Sequence, residues 1–480
     1  MRSTPRGTVS RMHPVRAEFV ALWRLGFPVA AVQLGIMLLG VVDIMMVGRF
    51  DDVHQAAAYV GHSVAFTTLG AGMGVVLCLD PVIAQAFGAR DEVGIAAGLQ
   101  RGIVLALALS VPVILLMLPA TAVLEFFDQD PDVIPIAVDY IYAQIPGVPF
   151  FLLFVALRSV LQSMHVLRPI VITIVAANLA NVVLNYALIF GELPVIGSLG
   201  FEGMGAVGSG YATSAVRIVT TFALFALGAE ILRPRLRPWL PESLAWKPFL
   251  GMLKIGAPIG LQVAIEVGAF SLMTLMVGSL GATAVAGSGI ALNLASISFM
   301  IPLGISTAAA VRVGNAIGRG DPDGMRRSVW VALVSGVSFM SLAALCYLLF
   351  PEPLARLYNP GSDAVVAVAV SVMPLVALFQ VFDGTQAVAT GTLRGAADTF
   401  VPVLLHALAW WGVAMPLAWY FGLSNGREDV RGIWWGLAIG IMLLAPILIL
   451  RVRSRFKRAI ERLDLESPNV SPEIAEASPE

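Results

Sequence analysis

The sequence has little charge, few lysines and almost no cysteine. Only 13% of its 480 residues are charged, whereas soluble domains carry about 25%, so the chain has too little polar surface for a soluble globular protein. Its two cysteines, Cys78 and Cys346, fall in apolar segments, which excludes a disulfide framework. None of the three lysines, Lys247, Lys254 and Lys457, stands in a G-x-x-x-x-G-K-[ST] motif, so a P-loop ATPase is excluded.

Sequence patterns of metal and serine hydrolases are also missing. The five histidines, at positions 13, 54, 62, 165 and 406, form no H-E-x-x-H or other close ligand cluster. No G-x-S-x-G nucleophile elbow is present. His62 and His406 lie in apolar segments, where a lone histidine is more often a hydrogen-bonded packing residue. We therefore expect that this protein is not an enzyme.

Long apolar segments are what the sequence does contain, and 58% of its residues are hydrophobic. Segments of about 20 apolar residues are long enough to cross a bilayer as helices. The sequence predicts twelve of them, at 20–47, 57–87, 99–122, 134–157, 169–190, 206–229, 249–278, 284–311, 328–350, 364–391, 400–422 and 432–451. The expected fold class is an all-α membrane protein.

The basic residues are distributed unevenly between the two sides of the predicted membrane. When Met1 is placed in the cytoplasm, the outer loops hold only four of them: Arg49, Arg356, Arg427 and Arg431. Such a bias is the positive-inside signature of an integral membrane protein. We expect a multi-pass protein of the cytoplasmic (inner or plasma) membrane with both termini in the cytoplasm.

The two halves of the chain repeat each other at an offset of 230 residues. The matched segments are 25–28 with 255–258, 46–48 with 276–278, and 85–91 with 315–321. Because each half holds six predicted helices, both halves enter the membrane from the same side, as in a parallel repeat around a central cavity. The predicted regions are a cytoplasmic N-terminus at 1–19, a six-helix bundle at 20–229, a linker at 230–248, a second six-helix bundle at 249–451 and a cytoplasmic tail at 452–480, disordered from Ser467.

Three carboxylates, Asp43, Glu266 and Asp383, lie inside predicted membrane helices. A charge at the membrane centre costs about 2.5–3.5 kcal/mol even on a lenient scale, more than an interhelical hydrogen bond of about 0.6–2 kcal/mol returns. A functional role therefore explains them better than packing does. If Glu266 and Asp383 converge, they titrate as a pair and bind a proton, Na⁺ or an organic cation. Competition between such ligands for one negative charge amounts to antiport.

Several other polar or aromatic residues lie in the predicted helices. Asp80 precedes Pro81 near a helix end, where a gate is as plausible as a binding role. Asn181 and Asn185 share one helix face, and Arg217 is a candidate partner of a carboxylate. Aromatic rings beside Asp383 suit a flat lipophilic cation through cation–π contact. The residues assigned to a substrate cavity are Asn181, Asn185, Gln262, Asn293, Phe379 and Trp410.

From about Leu22 to Arg451 the chain resembles NorM-type transporters of the MATE (multidrug and toxic compound extrusion) family. The resemblance rests on several short motifs taken jointly. These are Pro28 with Val42-Asp43, Gln85–Ala89, Leu157–Ser159, Ala264–Val267, Ile290–Asn293, Val311–Gly314, Phe382-Asp383 and Leu393–Gly395.

The resemblance implies a V-shaped pair of six-helix bundles with a large internal cavity. It implies Glu266 and Asp383 as the cation-site carboxylates, and as Na⁺ ligands if the protein is sodium-coupled, with Asp43 facing them from the other bundle. Two positions depart from the pattern: Phe379 stands where some relatives have tyrosine, and Asp80 replaces an apolar residue.

The expected function is export of cationic lipophilic compounds in exchange for Na⁺ or H⁺, by a protein with no other cofactor. The expected partners are small organic cations, a monovalent coupling cation and the lipid bilayer, with no nucleic acid, and the expected state is a monomer. One alternative is a flippase or exporter of a lipid-linked or anionic metabolite, which favours a basic cavity. Another is a non-transporting receptor or scaffold, which needs no buried acids.

Overall fold

The computed structural model describes residues 13–127, 129–193, 197–198, 200, 202–424 and 428–465. Twelve of its helices are long and apolar enough to span a membrane, as predicted. We number these spanning helices alone. They are α1 (Pro14–Val47), α2 (Asp52–Gly88), α3 (Glu92–Met117), α4 (Ile134–Ser163), α5 (Arg168–Phe190), α6 (Gly205–Leu227), α7 (Trp246–Gly278), α8 (Ala282–Gly318), α9 (Pro322–Leu349), α10 (Asp363–Gly395), α11 (Phe400–Gly422) and α12 (Val430–Phe456).

The internal repeat is visible in the turns that precede α3 and α9. Asp91 and Asp321 cap these helices, and each carboxylate accepts a hydrogen bond of 2.8 Å from the backbone N–H three residues later. The residue before each cap is left-handed, with φ of 59° at Arg90 and 65° at Gly320. The two halves therefore share the same backbone path at positions 230 residues apart.

Three spanning helices are interrupted where the local sequence disfavours a regular α-helix. The chain of α2 breaks between Asp52–Val76 and Leu79–Gly88, just before Pro81, because proline cannot donate a helical hydrogen bond. A 3₁₀ turn at Ile145–Gly147 bends α4. A π-helical stretch at Leu408–Ala414 in α11 changes the register of its side chains.

The twelve helices form two bundles, each with its own apolar core. We call α1–α6 the N-lobe and α7–α12 the C-lobe. A few residues cross over: Leu22 and Ala84 pack into the C-lobe core, and Met252 and Ile259 pack into the N-lobe core. The lobes are thus interlocked where α1 and α7 begin.

The lobes touch near the face at which α1 begins and α12 ends, which we call the terminal face. A Cβ added at Gly74 would lie 2.6 Å from the Cα of Gly260, and one added at Gly88 would lie 2.2 Å from the carbonyl oxygen of Asn315. Only glycine allows so close an approach. The lobes are therefore in close contact near the terminal face.

The helix boundaries differ from the predicted ones mainly by extension. The first helix begins at Pro14, earlier than predicted, because its amphipathic first turns continue the apolar segment. The predicted linker 230–248 contains a helix, Ala229–Leu236, and a 3₁₀ turn, Pro241–Leu244, before α7 begins at Trp246. Only residues 237–240 and 245 of the predicted linker are non-helical.

A short hairpin joins α5 to α6, with strand β1 (Glu192–Leu193) pairing antiparallel to β2 (Gly197–Ser198). Cys78 and Cys346 are free thiols. Arg427 and the tail from Ser467 lie outside the described residues.

Candidate functional site

Asp43 lies at the centre of a buried polar site in the N-lobe. Its side chain, 2% exposed, receives hydrogen bonds from three side chains on two other helices. Oδ1 accepts from Asn181 Nδ2 at 2.9 Å and from Asn185 Nδ2 at 2.6 Å, and Oδ2 accepts from Thr213 Oγ1 at 2.7 Å. The two asparagines meet Asp43 together because they are one turn apart on α5.

The N-lobe site also holds unused hydrogen-bonding capacity. The Oδ1 atoms of Asn181 and Asn185 are buried and accept no hydrogen bond from the described residues. With the Asp43 carboxylate and the Thr213 hydroxyl, the site concentrates oxygen atoms suited to a small cation. Sequence reasoning identified both asparagines but missed Thr213, because a threonine in an apolar helix usually bonds its own backbone.

Arg217 lies in the same lobe and does not bond a carboxylate as expected. Its Nη2 donates to Gln144 Oε1 at 3.1 Å, and its guanidinium lies 5.3 Å from the centre of the Phe151 ring. The Nη1 atom of Arg217 is buried and meets no hydrogen-bond acceptor in the described part of the chain. Asp43 accepts its hydrogen bonds from neutral donors and acts on the guanidinium only through space, so the predicted ion pair is corrected to these contacts.

Glu266 and Asp383 are brought into one polar network in the C-lobe. Gln386 Nε2 donates to Asp383 Oδ1 at 3.1 Å, and Gln386 Oε1 lies 2.8 Å from His406 Nε2. The same Nε2 lies 3.1 Å from Glu266 Oε1. Gln262 Nε2 completes the network, 3.0 Å from Glu266 Oε1. Side chains of α7, α10 and α11 therefore join the two carboxylates.

His406 is the residue of this network that sequence reasoning assigned to packing. The ring is fully buried, and its Nδ1 lies 2.7 Å from the carbonyl oxygen of Pro402, which can only accept. Nδ1 must therefore carry a hydrogen, and Nε2 is turned toward Glu266 and Gln386. The only sequence signal for this role was a polar residue in an apolar helix, because its partners belong to distant segments.

The carboxylates of this network differ in exposure. The Glu266 side chain is 26% exposed, whereas Asp383 is 7% exposed. The indole of Trp411, itself 45% exposed, donates from Nε1 to the carbonyl oxygen of Ile265 at 3.2 Å. Glu266 is thus the more accessible carboxylate of the pair.

The remaining cavity candidates lie elsewhere than expected. Phe379 and Trp410 are each 2% exposed and pack with Phe270, at ring-centre distances of 6.2 and 5.2 Å. Trp410 lies in the C-lobe core and its neighbour Trp411 is exposed, so Trp410 and Phe379 do not line an open cavity in this conformation. Asn293 is exposed and donates to the carbonyl oxygen of Gly289 in its own helix.

Asp80 is separate from both carboxylate sites. It is completely buried near the terminal face, and its carboxylate oxygens accept no hydrogen bond from the described part of the chain. Arg158 of the N-lobe and Arg394 of the C-lobe are the cations within electrostatic reach. This position suits a role at the contact between the lobes better than one in the cavity.

Twelve spanning helices in two related lobes, each with a buried carboxylate site, define a multi-pass membrane protein built as a transporter. The chain belongs to the MatE family, whose family model matches residues 28–187 and 258–420, one segment in each lobe. The matches begin 230 residues apart, at Pro28 and Pro258. The resemblance noted from the sequence motifs is therefore confirmed.

Relatives and solved structures cover nearly the whole chain. It is 36% identical to the probable multidrug resistance protein NorM of Mesorhizobium japonicum, over 91% of this chain and 94% of that protein. It is 31% identical to the multidrug resistance protein MdtK of Edwardsiella ictaluri, over 91% and 95% respectively. The fold matches the eukaryotic MATE transporter AtDTX14 with a TM-score of 0.82 at 22% identity, over 94% of this chain and all of that one.

Proposed function

We propose that this protein is a multidrug efflux antiporter that exports cationic lipophilic compounds in exchange for Na⁺ or H⁺ by alternating access. The family and the multidrug resistance relatives support this function. The observation that carries it is the network in which His406 and Gln386 join Glu266 to Asp383. Two acids held together in an apolar bundle are costly unless a cation is exchanged there.

The carboxylate network explains coupling through competition for negative charge. A coupling cation entering from outside neutralises Glu266 and Asp383, and a bound organic cation does the same from the cavity. The coupling cation and the organic cation weaken each other's binding because they share the same negative charge, so binding of one favours release of the other. An inward monovalent cation gains about 2.3 kcal/mol per 100 mV, which is enough to concentrate a drug outside the cell.

Asp43 supplies a second negative site on the opposite lobe. Its three donors come from α5 and α6, so a cation that displaces or reorients them changes the packing of those helices against α1. We propose that Asp43 takes part in binding the substrate or the coupling ion. Glu266 and Asp383 would be the Na⁺ ligands of the C-lobe if Na⁺ is the coupling ion.

The orientation follows from the placement of basic residues. Arg233, Arg235, Arg453 and Arg455 lie near the terminal face, which fits a cytoplasmic location. We propose that both chain termini are cytoplasmic and that the protein acts as a monomer in the inner membrane. The lobes are in close contact near the terminal face, so we propose that the conformation described here is closed on the cytoplasmic side.

The test is efflux of a fluorescent lipophilic cation from proteoliposomes under separately imposed Na⁺ and pH gradients. One of the two gradients should drive efflux, and Glu266→Gln and Asp383→Asn should each abolish gradient-driven transport. Glu230→Gln, which neutralises an exposed carboxylate outside the network, should transport normally. Efflux independent of both gradients, or unaffected by the two network variants, would overturn the proposal.

A further inference from the structure

After α12, the chain continues across the terminal face. Residues 457–465, which we call the strap, contain no helix or strand beyond a turn at the start. Arg326 of α9 donates to the carbonyl oxygens of Phe456 and Lys457 at 3.1 and 2.8 Å. Ile460 packs against the C-lobe core. The beginning of the strap is therefore fixed to the C-lobe.

The end of the strap is bound to the other lobe. Arg462 forms an ion pair with Asp91, the residue that caps α3. Leu463 and Leu465 pack against the N-lobe core. The strap thus begins on one lobe and ends on the other.

Gln85 connects the strap to both lobes. This N-lobe side chain is 1% exposed. Its Oε1 accepts a hydrogen bond of 2.8 Å from the backbone N–H of Leu463. Its Nε2 donates to the carbonyl oxygen of Gly395, at the end of α10, at 3.1 Å. A single buried amide therefore holds α2, α10 and the strap together.

The internal repeat supplies a comparison for this connection. Gln85 and Gly395 correspond, at the 230-residue offset, to Asn315 and His165. Asn315 Nδ2 lies 2.8 Å from His165 Nε2, so the repeat-related pair also crosses between the lobes. The Oδ1 of Asn315, however, is buried and accepts no hydrogen bond from the described residues. The strap thus gives the Gln85 amide oxygen a hydrogen-bond donor, the backbone N–H of Leu463, whereas the amide oxygen of Asn315 has none among the described residues.

We propose that the strap is a latch that holds the lobes together at the terminal face and favours the conformation closed on that side. This inference rests on the proposed function, because alternating access requires the lobes to separate there. When they separate, Gln85 must lose either Gly395 or Leu463. Since the strap has no regular secondary structure, it can detach without melting a helix.

The latch is tested by measuring the distance between the lobes in the full-length protein in nanodiscs. Spin labels are placed through Glu230→Cys and Ser454→Cys, both exposed, with Cys78→Ala and Cys346→Ala in the background. Leu463→Pro removes the backbone donor, and Arg462→Ala removes the ion pair. Each should raise the ratio of open to closed lobes by about 2- to 10-fold, as expected for the loss of one net hydrogen bond.

A double-mutant comparison separates the latch from general loosening. Combined with Leu463→Pro, Gln85→Ala should add less than its effect in the unmodified chain, because the two residues share one hydrogen bond. Asn315→Ala is the repeat-related control, because the strap does not touch Asn315. Its effect on the ratio of open to closed lobes should be the same with and without Leu463→Pro. Unchanged distances in both strap variants, or full additivity with Gln85→Ala, would overturn the latch.

The latch and the proposed function fail in distinguishable ways. If the intact chain transports a cation but the strap variants leave the lobe distance unchanged, the latch is wrong and the antiporter stands. If the strap variants shift the distance but no gradient drives efflux, the latch stands and the proposed function is wrong.

Discussion

His406 Nε2 lies 3.1 Å from Glu266 Oε1 inside the C-lobe, where Gln386 Oε1 is 2.8 Å from the same nitrogen. This contact turns two carboxylates on separate helices into one polar unit. We propose that an ion bound at Glu266 acts on Asp383 through His406 and Gln386.

Replacing His406 should weaken the coupling-cation site without unfolding the protein. In His406→Ala, the carboxylate of Glu266 and the amide oxygen of Gln386 lose a buried partner, which costs about 1–3 kcal/mol. We expect the apparent affinity for the coupling cation to fall about tenfold or more, with a smaller change in maximal rate. The measurement is efflux at increasing cation concentration, and His13→Ala, at the exposed start of α1, is the control. A fall in maximal rate alone would contradict the positioning role.

Thr213 should contribute to binding at the N-lobe site, although no sequence pattern singled it out. Thr213→Val keeps the side-chain shape but removes the hydrogen bond of 2.7 Å to Asp43 Oδ2. We expect drug affinity or coupling-cation affinity to fall about tenfold or more, because one hydrogen bond to a charged group contributes about 1.5–3 kcal/mol. Thr67→Val is the matched control, because the Thr67 hydroxyl donates to the carbonyl oxygen of Ser63 in its own helix. Equal effects of the two variants would argue against a specific role for Asp43.

Glu18 should stabilise contact between the lobes at the terminal face. It receives two hydrogen bonds, of 2.5 and 2.6 Å, from Arg312 of the C-lobe and a third of 2.7 Å from Ser328. Glu18→Gln should raise the free energy of the closed conformation relative to the open one by about 1–3 kcal/mol, because the guanidinium loses its charged partner. The lobe distance measured by spin labels should shift toward open. Glu352→Gln, which breaks an exposed pair with Arg356, should have no effect on the distance.

The contact between Asn315 and His165 should depend on pH. Burial of the ring, together with Arg312 and Arg319, lowers the pKa of His165 to about 4. In the closed conformation Nε2 accepts from Asn315 and is therefore neutral, whereas a released ring has an ordinary pKa near 6.5. Closure is thus fully favoured above about pH 6.5 and weakens as the pH falls toward 4.

The pH effect is measured by the same lobe distance between pH 7.5 and 5. In the wild type the lobes should separate progressively as the pH falls. His165→Asn does not titrate, so the part of this pH response that comes from His165 should disappear. Since His165 is partly exposed, we predict the direction of the effect and not its size. A distance that moves with pH equally in both proteins would assign the response to other groups.

The spanning helices and the repeat were predictable because each is encoded in contiguous residues. Apolar length fixes a span, and the turns around Asp91 and Asp321 repeat as short motifs. The buried acids were equally visible, because Asp43, Glu266 and Asp383 violate the apolar pattern around them. The helix breaks and the extended ends of α1, α8 and α10 shifted boundaries but not the number of helices.

The connections within the sites could not be predicted because they join distant residues. Nothing near His406 in sequence indicates that Glu266 lies beside it. The sequence of α11 does not distinguish its two neighbouring tryptophans, of which Trp410 is buried in the C-lobe core and Trp411 is exposed. The strap was equally hidden, since its partner Gln85 is on another lobe and their bond uses the backbone of Leu463.

Release of the coupling cation on drug binding tests the central claim most directly. A lipophilic cation such as tetraphenylphosphonium is added to the purified protein in weak buffer, and proton and Na⁺ release are both recorded. We expect release of one of these ions by the wild type and none by Glu266→Gln or Asp383→Asn. Saturable drug binding by the wild type with release of neither ion would contradict ion exchange at Glu266 and Asp383.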